Sequence, residues 1–248
     1  LRDLGSLGGR YRGSADLKAT ILDVDGERRY TLDGTATNLA FGQETADRLL
    51  AGNTVVTARA ATLDGVTRLT ALNLQNPQLS AKAEGTSATA VRLSARLANI
   101  GLITPKYSGP VTVEGTLGQQ GSNYALDLKA GGPGGLQAVV AGTVAGNLAT
   151  TDLTIRGKAD TALANNFIDP QSVEGTVSFD LKMQGKPGLN ALSGRIEAPN
   201  ASLNVPAASL ALQNIRLVAT LGGGKVTLDT RAAIKGGGSL TLSGPVTL

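Results

Sequence analysis

The feature that most constrains this chain is a hydrophobic alternation with a period of two residues. Residues 91–97 (VRLSARL) and 177–183 (VSFDLKM) carry apolar side chains at every second position and mostly polar ones between them. Successive side chains of a β-strand point to opposite faces, so each run predicts a strand with one buried face. Strands buried on both faces would show continuous apolar runs, and the pattern therefore predicts antiparallel or solenoidal β-structure. The alternation recurs at residues 126–128, 153–156, 215–217, 226–229 and 240–242.

Glycine separates the predicted strands. Between the strand candidates lie Gly26, Gly34, Gly65 and the glycine-rich stretches 131–135, 222–224 and 236–238. Glycine at such positions supplies the positive φ that tight hairpin turns require. Strands at this spacing would number about 20, which is more than one compact sandwich holds. We therefore expect an elongated all-β chain built from an antiparallel sheet.

Two segments break the alternation. Residues 43–51 (QETADRLLA), followed by Gly52, carry early acidic residues and paired leucines, which predicts one or two turns of helix. Residues 163–168, ahead of Pro170, predict a further single turn. Residues 86–100 are compatible with a helix, but their alternation favours a strand.

A short repeat of the form x-x-Gly-Thr runs through the chain. The glycines of its last four copies lie 30, 27 and 33 residues apart, a spacing that points to stacked supersecondary units. Each copy is predicted to be a strand followed by a turn, with chance recurrence of turn chemistry as the alternative. The copies are centred on Gly34, Gly85, Gly115, Gly142 and Gly175.

The composition excludes most common kinds of catalytic site. The chain has no histidine and no cysteine, which rules out triads with a histidine base, Cys/His zinc sites, disulfides and iron–sulfur clusters. The acidic residues fall in turns or on the polar faces of strands, so no pair of catalytic carboxylates is evident. The formal net charge of +4 is small and scattered, which argues against nucleic acid as a partner. We expect a protein that is not an enzyme and that holds no metal and no cofactor.

Two short motifs resemble ligand loops but lack essential residues. Residues 23–27 (DVDGE) resemble the start of a calcium loop without its third oxygen ligand and its later Glu. Residues 222–225 (GGGK) resemble a phosphate loop, but Val226 stands where Ser or Thr must bind magnesium. Both motifs are predicted to be hairpin turns.

The apolar face of the predicted strands is the feature with functional content. It forms either the closed core of a sandwich or the lining of an open groove, and the residues alone leave both possibilities open. Polar side chains on the same strands should face solvent, and these are Arg92, Arg96, Asp180, Lys182, Arg216 and Asp229. The predicted lining residues are Leu93, Leu97, Leu126, Leu128, Leu153, Ile155, Val177, Phe179, Leu181, Ile215, Leu217, Val226 and Leu228.

The order of the elements resembles that of a known family. The run 41–52 (FGQETADRLLAG) leads into strands through Leu74, Leu79 and Gly85, and the run 162–170 (ALANNFIDP) is followed by a further repeat copy. In this order the sequence resembles the TamB-type translocation and assembly module proteins, which are AsmA-like proteins of the Gram-negative envelope. The resemblance covers most of the chain and is strongest over residues 38–86 and 100–248.

The resemblance implies a long antiparallel sheet curled into an apolar trough, the β-taco. It implies a periplasmic location, an inner-membrane anchor in the full-length protein, and transfer of phospholipid between the inner and outer membranes. The trough would shield acyl chains, whose exposure to water costs about 0.8 kcal/mol per CH₂. The implied partners are phospholipid, the outer-membrane barrel protein TamA and outer-membrane protein or autotransporter clients.

Two other classes of function compete with lipid transfer. In the first, an edge strand templates client strands of outer-membrane barrels by β-augmentation, without lipid transport. In the second, the chain is a closed-core β-solenoid or a fragment of an adhesin. The chain begins with Leu1 rather than Met, so we expect residues 1–248 to be one elongated repeat region cut from a longer protein, with a possible subdivision near 100–110.

Overall fold

The computed structural model describes residues 12–87 and 89–247, and most of them lie in antiparallel β-strands. The chain divides into two compact units, of which the first ends at Gln120 and the second begins at Gly121. The predicted all-β, antiparallel class is confirmed, and the sheet of each unit is uncurled, which contradicts the curled trough that the resemblance implies. The predicted single repeat region, with its subdivision near 100–110, stays a prediction.

The strands of the first unit follow the chain order, and each strand pairs antiparallel with the next one. A two-residue turn at Asp25 and Gly26 joins the first two strands, as the sequence predicts. The strands are β1 (Arg12–Val24), β2 (Glu27–Ala40), β3 (Asn53–Leu63), β4 (Val66–Gln75), β5 (Leu79–Gly85), β6 (Ala90–Leu97) and β7 (Val111–Gln120).

The second unit repeats this arrangement with eight strands in chain order. Gly223 and Gly224 form the turn between its sixth and seventh strands, so residues 222–225 are a hairpin as predicted. The strands are β8 (Asn123–Gly132), β9 (Leu136–Ala145), β10 (Thr151–Asp160), β11 (Ser172–Gly185), β12 (Leu192–Val205), β13 (Leu210–Gly222), β14 (Lys225–Ile234) and β15 (Ser239–Thr247).

The helical segments are short. Helix α1 (Glu44–Leu49) and helix α2 (Asn165–Ile168) confirm the two helical turns predicted from the sequence, and β6 confirms the strand predicted within 86–100. Single 3-10 turns occur at Ile100–Leu102, Thr161–Ala164, Leu189–Ala191 and Pro206–Ala208. In the described residues no helix has the length and apolarity needed to cross a bilayer.

The prediction of about 20 strands is wrong, because glycine does not always end a strand here. The described residues form fifteen strands of seven to fourteen residues. Gly34 lies in the middle of β2, and Gly131 and Gly132 belong to β8. The strand-plus-turn reading of the repeat is wrong for the same reason at Gly34, Gly115, Gly142 and Gly175, which lie inside strands. It is confirmed at Gly85, the last residue of β5, which is followed by a bend.

Glycine inside these strands makes room for large neighbours. Gly157 of β10 pairs with Phe179 of β11, and a Cβ atom added to Gly157 would lie 2.5 Å from Phe179 Cζ. The same Cβ atom would collide with the carbonyl oxygen of Gln137 on β9. The absence of a side chain at Gly157 therefore lets the Phe179 ring lie across the strand.

A small cluster of buried apolar side chains lies in the second unit. Ala198, Ala201, Leu212, Ile215 and Ala232 form one cluster on β12, β13 and β14. The partly buried side chains packed against this cluster are Leu203, Leu210, Leu217 and Ile234.

Two register shifts build this cluster. One lies between Ala198 and Ala201 on β12, and the other lies between Gln213 and Arg216 on β13. An extra residue in a strand reverses the alternation beyond it, so residues three positions apart face the same side. The shifts therefore let Ala198 and Ala201 pack together on one side of the sheet.

We predict that Gly157→Ala destabilises the chain by about 1–3 kcal/mol, because the new methyl group forces Phe179 and the neighbouring backbone apart. Urea denaturation followed by circular dichroism measures this loss. Gly222→Ala is the matched control, because open space surrounds Gly222. The free energy of unfolding of this variant should differ from that of the wild type by less than about 0.5 kcal/mol. Equal effects of the two substitutions would contradict the packing of Phe179 over Gly157.

We predict that Ile215→Ala lowers the free energy of unfolding by about 2–4 kcal/mol, because it opens a cavity in the buried cluster. The side chain of Ile215 is 7% exposed, whereas that of Leu189 is 67% exposed. Leu189→Ala should therefore leave the urea midpoint almost unchanged. A small effect of Ile215→Ala would show that the cluster is not the stabilising core of the unit.

Candidate functional site: the apolar faces of the two sheets

The strand register sorts the side chains of the first unit into one apolar and one polar face. Residues directly opposite each other in an antiparallel pair point to the same side of the sheet. Leu93 of β6 pairs with Ala83 of β5 and with Gly115 of β7, and Ala83 pairs in turn with Leu72 of β4. Extending these pairs defines the first apolar face, whose large members include Leu17, Ile21, Leu32, Val56, Leu69, Leu72, Leu74, Leu93, Leu97, Val113 and Leu117.

The second unit has a corresponding apolar face. One row of directly paired residues runs from Leu128 through Val140 and Ile155 to Leu181 on four successive strands. Phe179 pairs with Ile196 in the adjacent row. The second apolar face includes Leu126, Leu128, Val140, Leu153, Ile155, Val177, Phe179, Leu181, Ile196, Ile215, Leu217, Val226, Leu228, Leu240 and Leu242.

The predicted lining residues all lie on these two faces. Leu93 and Leu97 belong to the first apolar face, and the other eleven belong to the second. Leu97 and Ile215 are buried, whereas the remaining predicted residues are half-buried. Their proposed role as a lipid-contacting lining stays a prediction.

Both apolar faces remain accessible to a partner. The described strands of each unit form a single layer, so no second sheet covers either face within its unit. The exposed fractions rise towards the outermost strands and reach 60% at Leu17 and 62% at Ile21 on β1, and 56% at Leu242 on β15. Large apolar side chains are thus arranged in rows on a surface that water still reaches.

The polar face opposite the second apolar face carries ion pairs both between neighbouring strands and within one strand. Arg156 Nε donates to Asp180 Oδ2 at 2.9 Å, and Arg195 pairs with Glu197. Exposed ion pairs of this kind contribute little to the free energy of unfolding. Their main effect is to keep this face of the sheet polar and hydrated. The predicted solvent-facing residues all lie on polar faces and are exposed: Arg92, Arg96, Asp180, Lys182, Arg216 and Asp229.

A denser cluster of charge lies on the polar face of the first unit. Glu27 accepts hydrogen bonds from Arg29 Nε at 2.7 Å and from Arg68 Nη2 at 2.9 Å. These bonds, chiefly the one from Arg29, hold the pKa of the Glu27 carboxyl below its usual value. Arg29 and Arg68 both pair with Ala61, so the bridging carboxylate neutralises two arginines that flank one buried alanine.

The β1–β2 hairpin ends in a second ion pair. Arg28 Nε donates to Asp23 Oδ1 at 2.8 Å, which lowers the pKa of Asp23 and raises that of Arg28. Residues 23–27 thus form the hairpin turn that the sequence predicts, and the ion pair with Arg28 lies at its base. In the part of the chain that the structure describes, no group of three acidic side chains is placed to hold a metal ion.

The sequence did not reveal the residues around the register shifts. Leu203, Leu210 and Leu212 lie on the apolar side of the second unit, but the reversed alternation hides their relation to Ile215. Asn214 at φ 53° marks the shift in β13. Asparagine tolerates a left-handed backbone, and Asn214 was therefore the one available signal of the shift.

Comparison with known proteins settles the family. The model of the family "Type II secretion system (T2SS), protein N" matches residues 92–248, which is more than half of the chain. No curated protein and no solved structure matches the chain significantly. The match overturns the resemblance to TamB-type AsmA-like proteins, and with it the predicted function in lipid transfer and outer-membrane protein assembly.

The partners implied by that resemblance, phospholipid and TamA, stay untested predictions. The type II secretion system is a secretion apparatus of the Gram-negative cell envelope, so the envelope location expected from the sequence is confirmed at that level. The chain belongs to the family of type II secretion system protein N.

Proposed function

We propose that this chain is a non-enzymatic component of the type II secretion apparatus whose apolar sheet faces dock another protein of that apparatus. The observation that carries the proposal is that rows of apolar side chains are left accessible on the single-layer sheet of each unit, with Leu17 and Ile21 in the first unit and Leu242 in the second more than half exposed. The match to the type II secretion system protein N family is the reason for naming this apparatus.

The physical argument rests on the cost of exposed apolar surface. Monomeric soluble proteins rarely expose contiguous apolar patches larger than a few hundred Å². Covering such a patch gains about 25 cal/mol per Å² of apolar area removed from water. A partner that buries about 800 Å² of this chain would form an interface of standard size. The paired rows offer a regular, nearly uncharged surface of this kind.

The proposed location is the periplasm, with the full-length protein anchored in the inner membrane. Membership of an envelope secretion family supports this placement. The proposed role is non-catalytic. Among the described groups, the shifted pKa values are those of ion-paired residues of the first unit, Asp23, Glu27 and Arg28. Catalytic groups more commonly lie in clefts, where burial perturbs them.

We predict that Leu242→Asp reduces export by the type II secretion apparatus about tenfold or more, because docking would bury an unpaired carboxylate. The measurement is the fraction of a type II substrate found outside cells whose only copy of this chain is the variant. Leu242 is exposed, so the variant should keep the wild-type melting temperature and circular dichroism spectrum.

Thr227→Asp is the matched control, since Thr227 is exposed on the polar face of the adjacent strand. Export should stay at the wild-type level in this variant. Equal export by the two variants, whether normal or reduced, would overturn the assignment of docking to the apolar face.

A photo-crosslinking amino acid placed at position 242 or 227 identifies what covers each face. We expect position 242 to crosslink a protein of the secretion apparatus in intact cells and position 227 to give no such product. Crosslinking of the same protein from both positions would contradict docking on one face.

A further inference from the structure

Two arginines stand directly opposite each other on the polar face of the second unit. Arg216 of β13 pairs with Arg231 of β14, and both side chains are exposed. Like charges in directly opposed positions repel each other and destabilise a strand pair. Asp229 is the nearest acidic residue along β14, yet within the described residues neither arginine has a carboxylate oxygen within 4.0 Å.

The arginine pair lines a recess built by the two register shifts. The shift on β12 and the shift on β13 lie side by side, because Ala201 pairs with Ile215 and Ala198 pairs with Leu217. Bulges re-aim side chains and are common beside functional sites. The recess has a volume of about 700 Å³, and its polar lining residues are Asn200, Asn214, Arg216, Arg231, Ser239 and Thr241.

In the first unit, an acidic residue of the chain itself neutralises a comparable pair of arginines. Arg29 and Arg68 lie two strands apart on a polar face, and Glu27 accepts a hydrogen bond from each. Arg216 and Arg231 are closer, on adjacent strands, and no described carboxylate takes the place that Glu27 occupies in the first unit. An unbalanced local charge that costs stability is typical of a site that binds a ligand.

We propose that the recess binds an oxyanion, the chemistry shared by a carboxylate and a phosphate group. Two guanidinium groups can each donate two parallel hydrogen bonds to such an anion. The side-chain amides of Asn200 and Asn214 and the hydroxyls of Ser239 and Thr241 add neutral donors around it. Arg216 and Arg231 lie on the face opposite the proposed docking surface and within the part of the chain that matches the family, and the oxyanion proposal does not depend on the docking proposal.

Calorimetric titration of the full chain at low ionic strength tests the site. The probes are sodium phosphate and a tetraglutamate peptide, with tetralysine as the control of opposite charge. We expect at least one anionic probe to bind the wild-type chain and no binding of tetralysine. Preference for phosphate identifies a phosphate-bearing ligand, and preference for tetraglutamate identifies an acidic protein segment.

Arg216→Gln and Arg231→Gln should each weaken binding of the preferred probe at least about tenfold, because each substitution removes a charged group that donates two hydrogen bonds to the anion. Arg96→Gln removes the same charge from an exposed arginine of the first unit and should leave the affinity unchanged. Failure of both anionic probes to bind, or equal weakening by all three substitutions, would overturn the proposal.

The melting temperature of the unliganded chain is a second, independent test of the arginine pair. Removing either arginine relieves the repulsion, so each variant should melt about 1–3 °C above the wild type at low salt. Added sodium chloride screens the charges and should shrink this difference. A purely structural role of the arginines would lower the melting temperature instead, and that result would overturn the argument from like charges.

Discussion

The register of the antiparallel strands is the constraint on which the rest of this structure depends. A slip of one residue between two strands would move every apolar side chain of one strand to the polar side. The row from Leu128 to Leu181 keeps its apolar members together over four strands, so each hairpin of the row reinforces the register of the next. The apolar faces, the exposed charges and the arginine recess are all consequences of this pairing.

The sequence predicted the two faces of the sheet well, because alternation records directly which side each residue occupies. It placed Leu126, Ile155 and Leu228 on one face and Asp180 on the other without any knowledge of strand order. It failed where a strand holds an extra residue, as beside Asn214, because a local change of backbone leaves no periodic signal. The opposition of Arg216 and Arg231 was equally hidden, since pairing between strands depends on turn lengths and bulges that no single segment encodes.

The general sequence pattern, meaning the kinds of element and their order, was a poor guide to the family of this chain. Alternating leucines, glycines within strands and short helical turns are what any long antiparallel sheet with one apolar face requires, so unrelated families share them. Gly142 illustrates the point: it lies inside β9 at φ 135°, where the carbonyl of Asp152 leaves no room for a side chain. A glycine at such a position is required by local steric crowding, so its presence says little about the family to which the chain belongs. The match to the secretion family over residues 92–248 therefore outweighs the likeness in element order.

The chain-order pairing of strands within each unit has a consequence for how the protein folds and changes. Each strand touches mainly its immediate neighbours in the sequence, so the free energy of a unit approximates a sum of hairpin and nearest-neighbour terms, as in repeat proteins. Folding can then start at any stable hairpin and spread in both directions, and the outermost hairpins can open while the middle stays folded. The same topology allows a unit to gain or lose a terminal hairpin without re-wiring the strands that remain. Gain or loss of whole hairpins during evolution would therefore change the number of strands in a unit without disturbing the pairing of the others.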